Sequence, residues 1–185
     1  MPTPGLLTIS SGTPDFPTPK HVVEAAKKAL DDGHTQYTPW AGLIELREAI
    51  AKKLERDNGI KANPEHEIMV TAGSQEAMLV TCQALLNPGD EVLIHAPYYD
   101  EYNRDTKLTG ATLVPVITYE KDNYAIDPVA LEQQITPRTK MLIIVSPSNP
   151  TGAVQTRATL EKIAELAKKR NLIVISDELY EKLIL

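Results

Sequence analysis

Three uninterrupted apolar runs, Val92-Leu93-Ile94, Met141-Leu142-Ile143-Ile144-Val145 and Leu172-Ile173-Val174-Ile175, are separated by stretches whose apolar residues recur at helical spacing. A strand that is apolar on both sides must be covered on both sides, and strands joined by helices run parallel. The pattern predicts an α/β fold of three layers, with helices on both faces of a mostly parallel sheet. Further strands are expected over 68–71 and 112–116. Helices are expected after the Thr18-Pro19 pair, over 43–54, from Gly73-Ser74 to about Leu86, over 100–108, and after the caps Asp127-Pro128 and Thr156. The first 19 residues, rich in Pro, Thr and Ser, read as an extended arm.

Composition narrows the function. The chain has 185 residues, 42% hydrophobic, with 19 basic against 25 acidic side chains and a net charge of -6. A net negative chain without a basic cluster is a poor match to a phosphate backbone, so nucleic acid is not the expected partner. No apolar run approaches the roughly 18 residues of a membrane span. No secretory leader pattern opens the chain, and a cytoplasmic location is expected. The single cysteine, Cys82, leaves no intramolecular disulfide and no Cys-based metal cluster. His21, His34, His66 and His95 lack metal-ligand spacing, so no metal is expected.

In an open α/β sheet, ligands bind beyond the carboxyl ends of the strands. After 68–71 come Gly73-Ser74-Gln75 at a helix start, which reads either as an anion site or as a plain glycine turn with a Ser74 cap. After Ala96 come Tyr98 and Tyr99, of which one offers a flat stacking surface and at least one is core. After Val145, Pro147 and Pro150 stiffen a loop carrying Asn149, and either X-Pro bond is a candidate for the cis form. That loop also reads as a structural turn. After Ser176 come Asp177 and Glu178, with Tyr180 close behind. Asp177 reads as a helix cap, as a metal-binding acid of an ATPase, or as the partner of a cationic ligand atom. The ATPase and nicotinamide readings lack their glycine-rich loops. An anionic tail, a flat ring, a polar ring substituent and a ring atom needing a carboxylate together describe pyridoxal 5′-phosphate.

The ordered segments Gly12-Thr13-Pro14-Asp15-Phe16-Pro17-Thr18-Pro19, Tyr37-Thr38-Pro39-Trp40-Ala41-Gly42, Asn87-Pro88-Gly89-Asp90-Glu91-Val92, Pro97-Tyr98-Tyr99, Ser148-Asn149-Pro150-Thr151-Gly152 and Ser176-Asp177-Glu178-Leu179-Tyr180 resemble class I, fold-type I, pyridoxal-phosphate aminotransferases. The likeness is to the bacterial aspartate and aromatic group. The resemblance implies an arm and first helix over 1–34, followed by part of the cofactor-binding large domain over 35–185. It implies that Gly73, Ser74 and Gln75 cradle the phosphate, that Tyr99 stacks on the ring and that Asp177 pairs with the ring nitrogen. Asn149 and Tyr180 are implied to bond the phenolic oxygen. Tyr37 is implied to reach a partner subunit's phosphate in a homodimer, with Gly12 against the substrate carboxylate. The implied substrates are an amino acid and a 2-oxo acid.

The family's Schiff-base lysine follows the next strand, and its substrate-gripping arginine lies later still. Both positions fall past Leu185, and Lys182 matches neither. The chain also stops on Leu183-Ile184-Leu185, three apolar residues, so it is expected to be the front part of a longer protein. The 185-residue chain alone is therefore expected not to transaminate. The competing expectations are a cofactor-binding fragment without catalysis and a C–S β-lyase built on the same half.

Overall fold

The computed structural model describes residues 16–184, in two compact units that divide between Met69 and Val70. The boundary implied at 34/35 falls inside the first unit.

In the first unit, helix α1 is Lys20–Asp31 and helix α2 is Ile44–Lys53, which runs on as a π-helical turn over Leu54–Asn58. Pro19 is the capping residue of α1, not its first helical residue, because its extended ψ of 136° leaves it outside the helix. No residue of α1 is buried, and Val22 and Leu30 lie exposed. Arg47 on α2 ties the segments before and after the helix together: its guanidinium donates to the carbonyls of Gly42 (3.1 Å), Pro64 (2.7 Å) and Glu65 (3.2 Å).

Residues 68–71 do not form the expected strand. A strand exists only where a neighbour completes its hydrogen-bond ladder, and no strand among the described residues pairs with this run.

The second unit contains, in chain order, helix α3 (Ser74–Leu85), strand β1 (Glu91–Ala96), α4 (Glu101–Lys107), β2 (Thr112–Ile117), α5 (Pro128–Gln133), β3 (Thr139–Val145), α6 (Arg157–Arg170) and β4 (Ile173–Asp177). The sheet order is β2-β1-β3-β4, and every pairing is parallel. Side chains alternate across it. Val92, Ile94, Leu113, Met141, Ile143 and Val145 meet Met78, Cys82 and Leu86 from around α3 and Tyr102 from α4. On the other face, Leu93, Val116, Leu142 and Ile144 meet Leu131 of α5 and Ile163 and Leu166 of α6. The predicted three-layer α/β architecture is what forms.

Local chemistry sets the helix starts. The Asp127 side chain accepts from Val129 N–H at 2.9 Å, with Pro128 in the first turn. Thr156 Oγ1 accepts from Thr159 N–H at 3.1 Å. At the amino edge of the sheet the turns are clasped together. Gly89 N–H donates to Gly110 O (3.0 Å) and Thr112 N–H to Asp90 O (2.9 Å). Buried Glu91 accepts from the Arg138 guanidinium (Nε, 2.9 Å) and from Thr136 Oγ1. The Thr136 hydroxyl, aided by Arg138, holds the Glu91 carboxyl below its ordinary range.

His95 of β1 is buried, and its Nε2 accepts Val145 N–H at 3.1 Å, so Nε2 carries no proton. Burial pushes its pKa below the ordinary value. The unfolded chain then takes up a proton near pH ~6.5 that the folded chain refuses. Stability is complete above that pH and is lost as pH falls below it. Urea unfolding between pH 7.5 and 5 is expected to show a fall of up to about 1.4 kcal/mol per pH unit attributable to this site. His95→Gln flattens the slope; an unchanged slope in the variant refutes the assignment.

At Gly110, with φ +80°, an added Cβ would stand 3.1 Å from Pro88 Cβ, whereas at Gly89, with φ +91°, it would meet nothing within 4 Å. Both Gly→Ala changes carry the left-handed cost of about 1–2 kcal/mol. Gly110→Ala is expected to lose more than Gly89→Ala in the same urea assay, and equal losses would show that the Pro88 contact yields freely.

Candidate functional site

All four strands point their carboxyl ends to one edge of the second unit, and most of the residues singled out from sequence gather there. Asp177 is the last residue of β4 and sits opposite Val145 of β3. It is half-buried, and its carboxylate is held from two sides. Tyr102 Oη donates to Oδ2 at 2.7 Å, and Leu179 N–H donates to Oδ1 at 3.0 Å. The second bond closes a local turn and caps no helix, because no described helix follows β4. Glu178 turns aside and accepts from Ser176 Oγ at 2.8 Å.

Helix α3 begins beside this carboxylate: Ser74, Ala77, Met78 and Thr81 share a hollow with Asp177, Glu178 and Leu179. Gly73, not Ser74, is the capping residue, with φ 85° and ψ 167° and no side-chain cap bond. The expected Ser74 cap is absent because Ser74 already lies inside the helix. Ala77 N–H is the first to reach back, to Gly73 O at 3.4 Å, which leaves the amides of Ser74, Gln75 and Glu76 without helical partners. A Cβ at Gly73 would meet no atom within 4 Å, so the helix start faces open space. Glu76 bends back and its carboxylate accepts Ala72 N–H.

Tyr98 packs against the core while Tyr99 is 46% exposed, so the adjacent pair divides into one core ring and one open ring. The Tyr99 ring meets Tyr102 edge to face, with centroids 6.2 Å apart and planes at 90°. Asn149 and Tyr180 share a second hollow with Pro147, Ser148, Pro150, Gly152 and Leu183. The peptides before Pro97, Pro147 and Pro150 are all cis. The loop closes on itself through Gly152 N–H to Ser148 O (2.8 Å) and Ser148 N–H to Ala153 O (2.9 Å). Gln155 anchors it, donating its N–H to Ser146 Oγ (3.1 Å) and its side-chain amide to Tyr124 O (3.2 Å). Neither hollow is lined by a lysine.

Two expected site residues do not belong to the second unit. Tyr37 belongs to the first unit and is fully exposed. Gly12 lies outside the described residues. Among the described residues no group of three or more His, Cys, Asp and Glu side chains is placed to hold a metal. Cys82 is buried against Thr106 and Asp105, and burial lifts its thiol to about 11, well above the reactive range. The residue that sequence reasoning missed is Tyr102. In sequence it lies unmarked within the helix expected over 100–108, and its bond to Asp177 spans 75 residues.

One edge thus offers free amides at a helix start, an exposed aromatic ring, a fixed carboxylate, and an amide beside a phenol. The family model "Aminotransferase class I and II" matches residues 4–185. An aspartate/prephenate aminotransferase of Thermus thermophilus is 45% identical over 97% of this chain and 46% of its own length. An aspartate aminotransferase of Pyrococcus abyssi is 47% identical over 97% and 46%. Among solved structures, the aromatic aminotransferase of Pyrococcus horikoshii superposes with a TM-score of 0.89 at 49% identity, over 91% of this chain and 45% of that one. The chain spans about half the length of the curated relatives it matches. Ordered motifs, shared fold and near-complete match of the chain agree, and the chain belongs to the class I and II aminotransferase family.

Proposed function

We propose that this protein takes part in amino-group transfer between an amino acid and a 2-oxo acid with pyridoxal 5′-phosphate as cofactor, and that this chain is the part that cradles the cofactor. What carries the reading is Asp177, held at the sheet's ligand edge by Tyr102 and Leu179 within the hollow that Ser74 lines. The donor set fits the cofactor. The unpartnered amides of Ser74 and Gln75, with the open space at Gly73, suit a phosphate. The Tyr99 face suits a pyridine ring, and the Asn149 amide and Tyr180 hydroxyl, which line one hollow, suit a phenolic oxygen.

Bound pyridoxal phosphate supplies an electron sink for the substrate's α-carbon. With the cofactor bound, the Asp177 carboxylate would hold a proton on the ring nitrogen, which would keep that sink effective. Tyr99 would stack on the ring, and the amides at the start of α3 would hold the phosphate. Asn149 and Tyr180 would hydrogen-bond the phenolic oxygen. Tyr37 is assigned to the cofactor phosphate of a second copy in a homodimer, and Gly12 to the substrate carboxylate. We place the protein in the cytoplasm; no described helix is long and apolar enough to cross a membrane.

The lining of the two hollows favours a second statement: by itself, this chain binds the cofactor without covalent attachment and without turnover. Mixing the chain with pyridoxal phosphate, reducing with borohydride and measuring intact mass is expected to give no stoichiometric adduct at a single lysine. A mapped, stoichiometric adduct, or turnover by a contaminant-free preparation, overturns that statement. Non-covalent binding, followed by ligand fluorescence, is expected to weaken about tenfold or more in Asp177→Ala, the scale of a charge-assisted hydrogen bond. Equal affinity in the variant removes Asp177 from the site and with it the proposed role of this chain.

A further inference from the structure

Asp177 reaches the ligand edge with one oxygen fastened by its own turn, Leu179 N–H to Oδ1 at 3.0 Å, and the other by a distant side chain, Tyr102 Oη to Oδ2 at 2.7 Å. Tyr102 is only 6% exposed, and its phenol body lies in the core with Val92, Ile94 and Val145, so the hydroxyl is delivered from a rigid support. The same ring meets Tyr99 edge to face. One side chain therefore touches both the carboxylate and the open aromatic ring, without itself facing the hollows.

We propose that Tyr102 is the positioning residue of this site, setting the carboxylate of Asp177 through its hydroxyl and the plane of Tyr99 through its ring. The inference rests on the cofactor-cradling reading above and deepens it. A carboxylate held only by the Leu179 amide keeps rotation about its side-chain bonds. Two donors on two oxygens, one of them anchored in the core, leave one orientation, which is the condition for recognising a ring N–H. The electrostatics agree with the geometry: the Tyr102 phenol is held well above its ordinary pKa, first by burial and then by the hydrogen bond and charge of Asp177. The other titratable groups nearby are Tyr180 and Tyr99, which raise Tyr102 further, and Glu178, which is engaged by Ser176. From α3 only Glu76 is charged near the helix start, and it is turned to Ala72. His95 lies on the Leu93 side of the sheet by strand alternation, away from Tyr102.

The test uses the full chain and two probes that need no lysine: pyridoxamine 5′-phosphate, and its analogue in which C–H replaces the ring nitrogen. In the wild type the nitrogen-containing probe is expected to bind more tightly. Tyr102→Phe keeps the ring and removes the hydroxyl; it is expected to weaken the nitrogen-containing probe about tenfold and the C–H analogue by less than about threefold. A variant that weakens both probes equally has only a structural role at this position, and the inference falls. Asp177→Asn separates the two levels. If it keeps the wild-type preference for the nitrogen, the cofactor reading itself fails; if it loses the preference while Tyr102→Phe keeps it, only the role of Tyr102 fails.

Discussion

The second unit depends on β3. This strand pairs with β1 on one side and β4 on the other, and it places Met141, Ile143 and Val145 in one core and Leu142 and Ile144 in the other. Every helix of the unit packs on a core that this strand helps to build. Because both ladders are parallel, the strand also sets which residues emerge together at the carboxyl edge. Val145 opposite Asp177 is one rung of that ladder, and the loop that carries Asn149 leaves from the same rung. The chemistry of the edge is thus a consequence of strand direction before it is a matter of particular side chains.

The parts of the fold legible in the sequence are those whose signals are local. The apolar runs of β1 and β3, covered on both faces, and the Asp127-Pro128 and Thr156 caps act over a few residues and appear where the pattern places them; the run of β4 forms its strand but, at the edge of the described sheet, leaves Val174 exposed. The run over 68–71 has the same local appearance, yet it forms no strand, because a ladder partner is not a property of the run itself. The site divides in the same way. Asp177 ends a strand and Asn149 lies in the loop after one, so the rule that ligands meet strand ends points to both, whereas the α3 start follows the run over 68–71, which is no strand, and the rule has nothing to rest on there. Tyr102 follows no strand end and has no motif. Its role comes from the register between β4 and the rest of the sheet and from the lie of α4, and neither is written in the seven residues of that helix.

Asp177, Tyr99 and the start of α3 come from three separate stretches of chain, and each is held by a different kind of force. The carboxylate is held by hydrogen bonds, the ring by an edge-to-face contact, and the helix start by the open backbone of Gly73. Tyr102 is where two of these supports meet. A ligand that engages the edge therefore meets groups whose arrangement does not depend on the ligand being there, which lowers the ordering cost of binding. The chain belongs to the class I and II aminotransferase family and spans about half the length of the curated relatives it matches.

The clasp at the other end of the sheet has its own consequence. Glu91 with Arg138 and Thr136, and the Gly89–Gly110 contact, tie the amino ends of the strands, a full strand length from Asp177 and Asn149. Rigidity and recognition therefore occupy opposite poles of one sheet. Such a chain can drift in heat tolerance through changes at one pole while the other keeps its ligand geometry, so adaptation to temperature and adaptation to substrate become separable lines of descent.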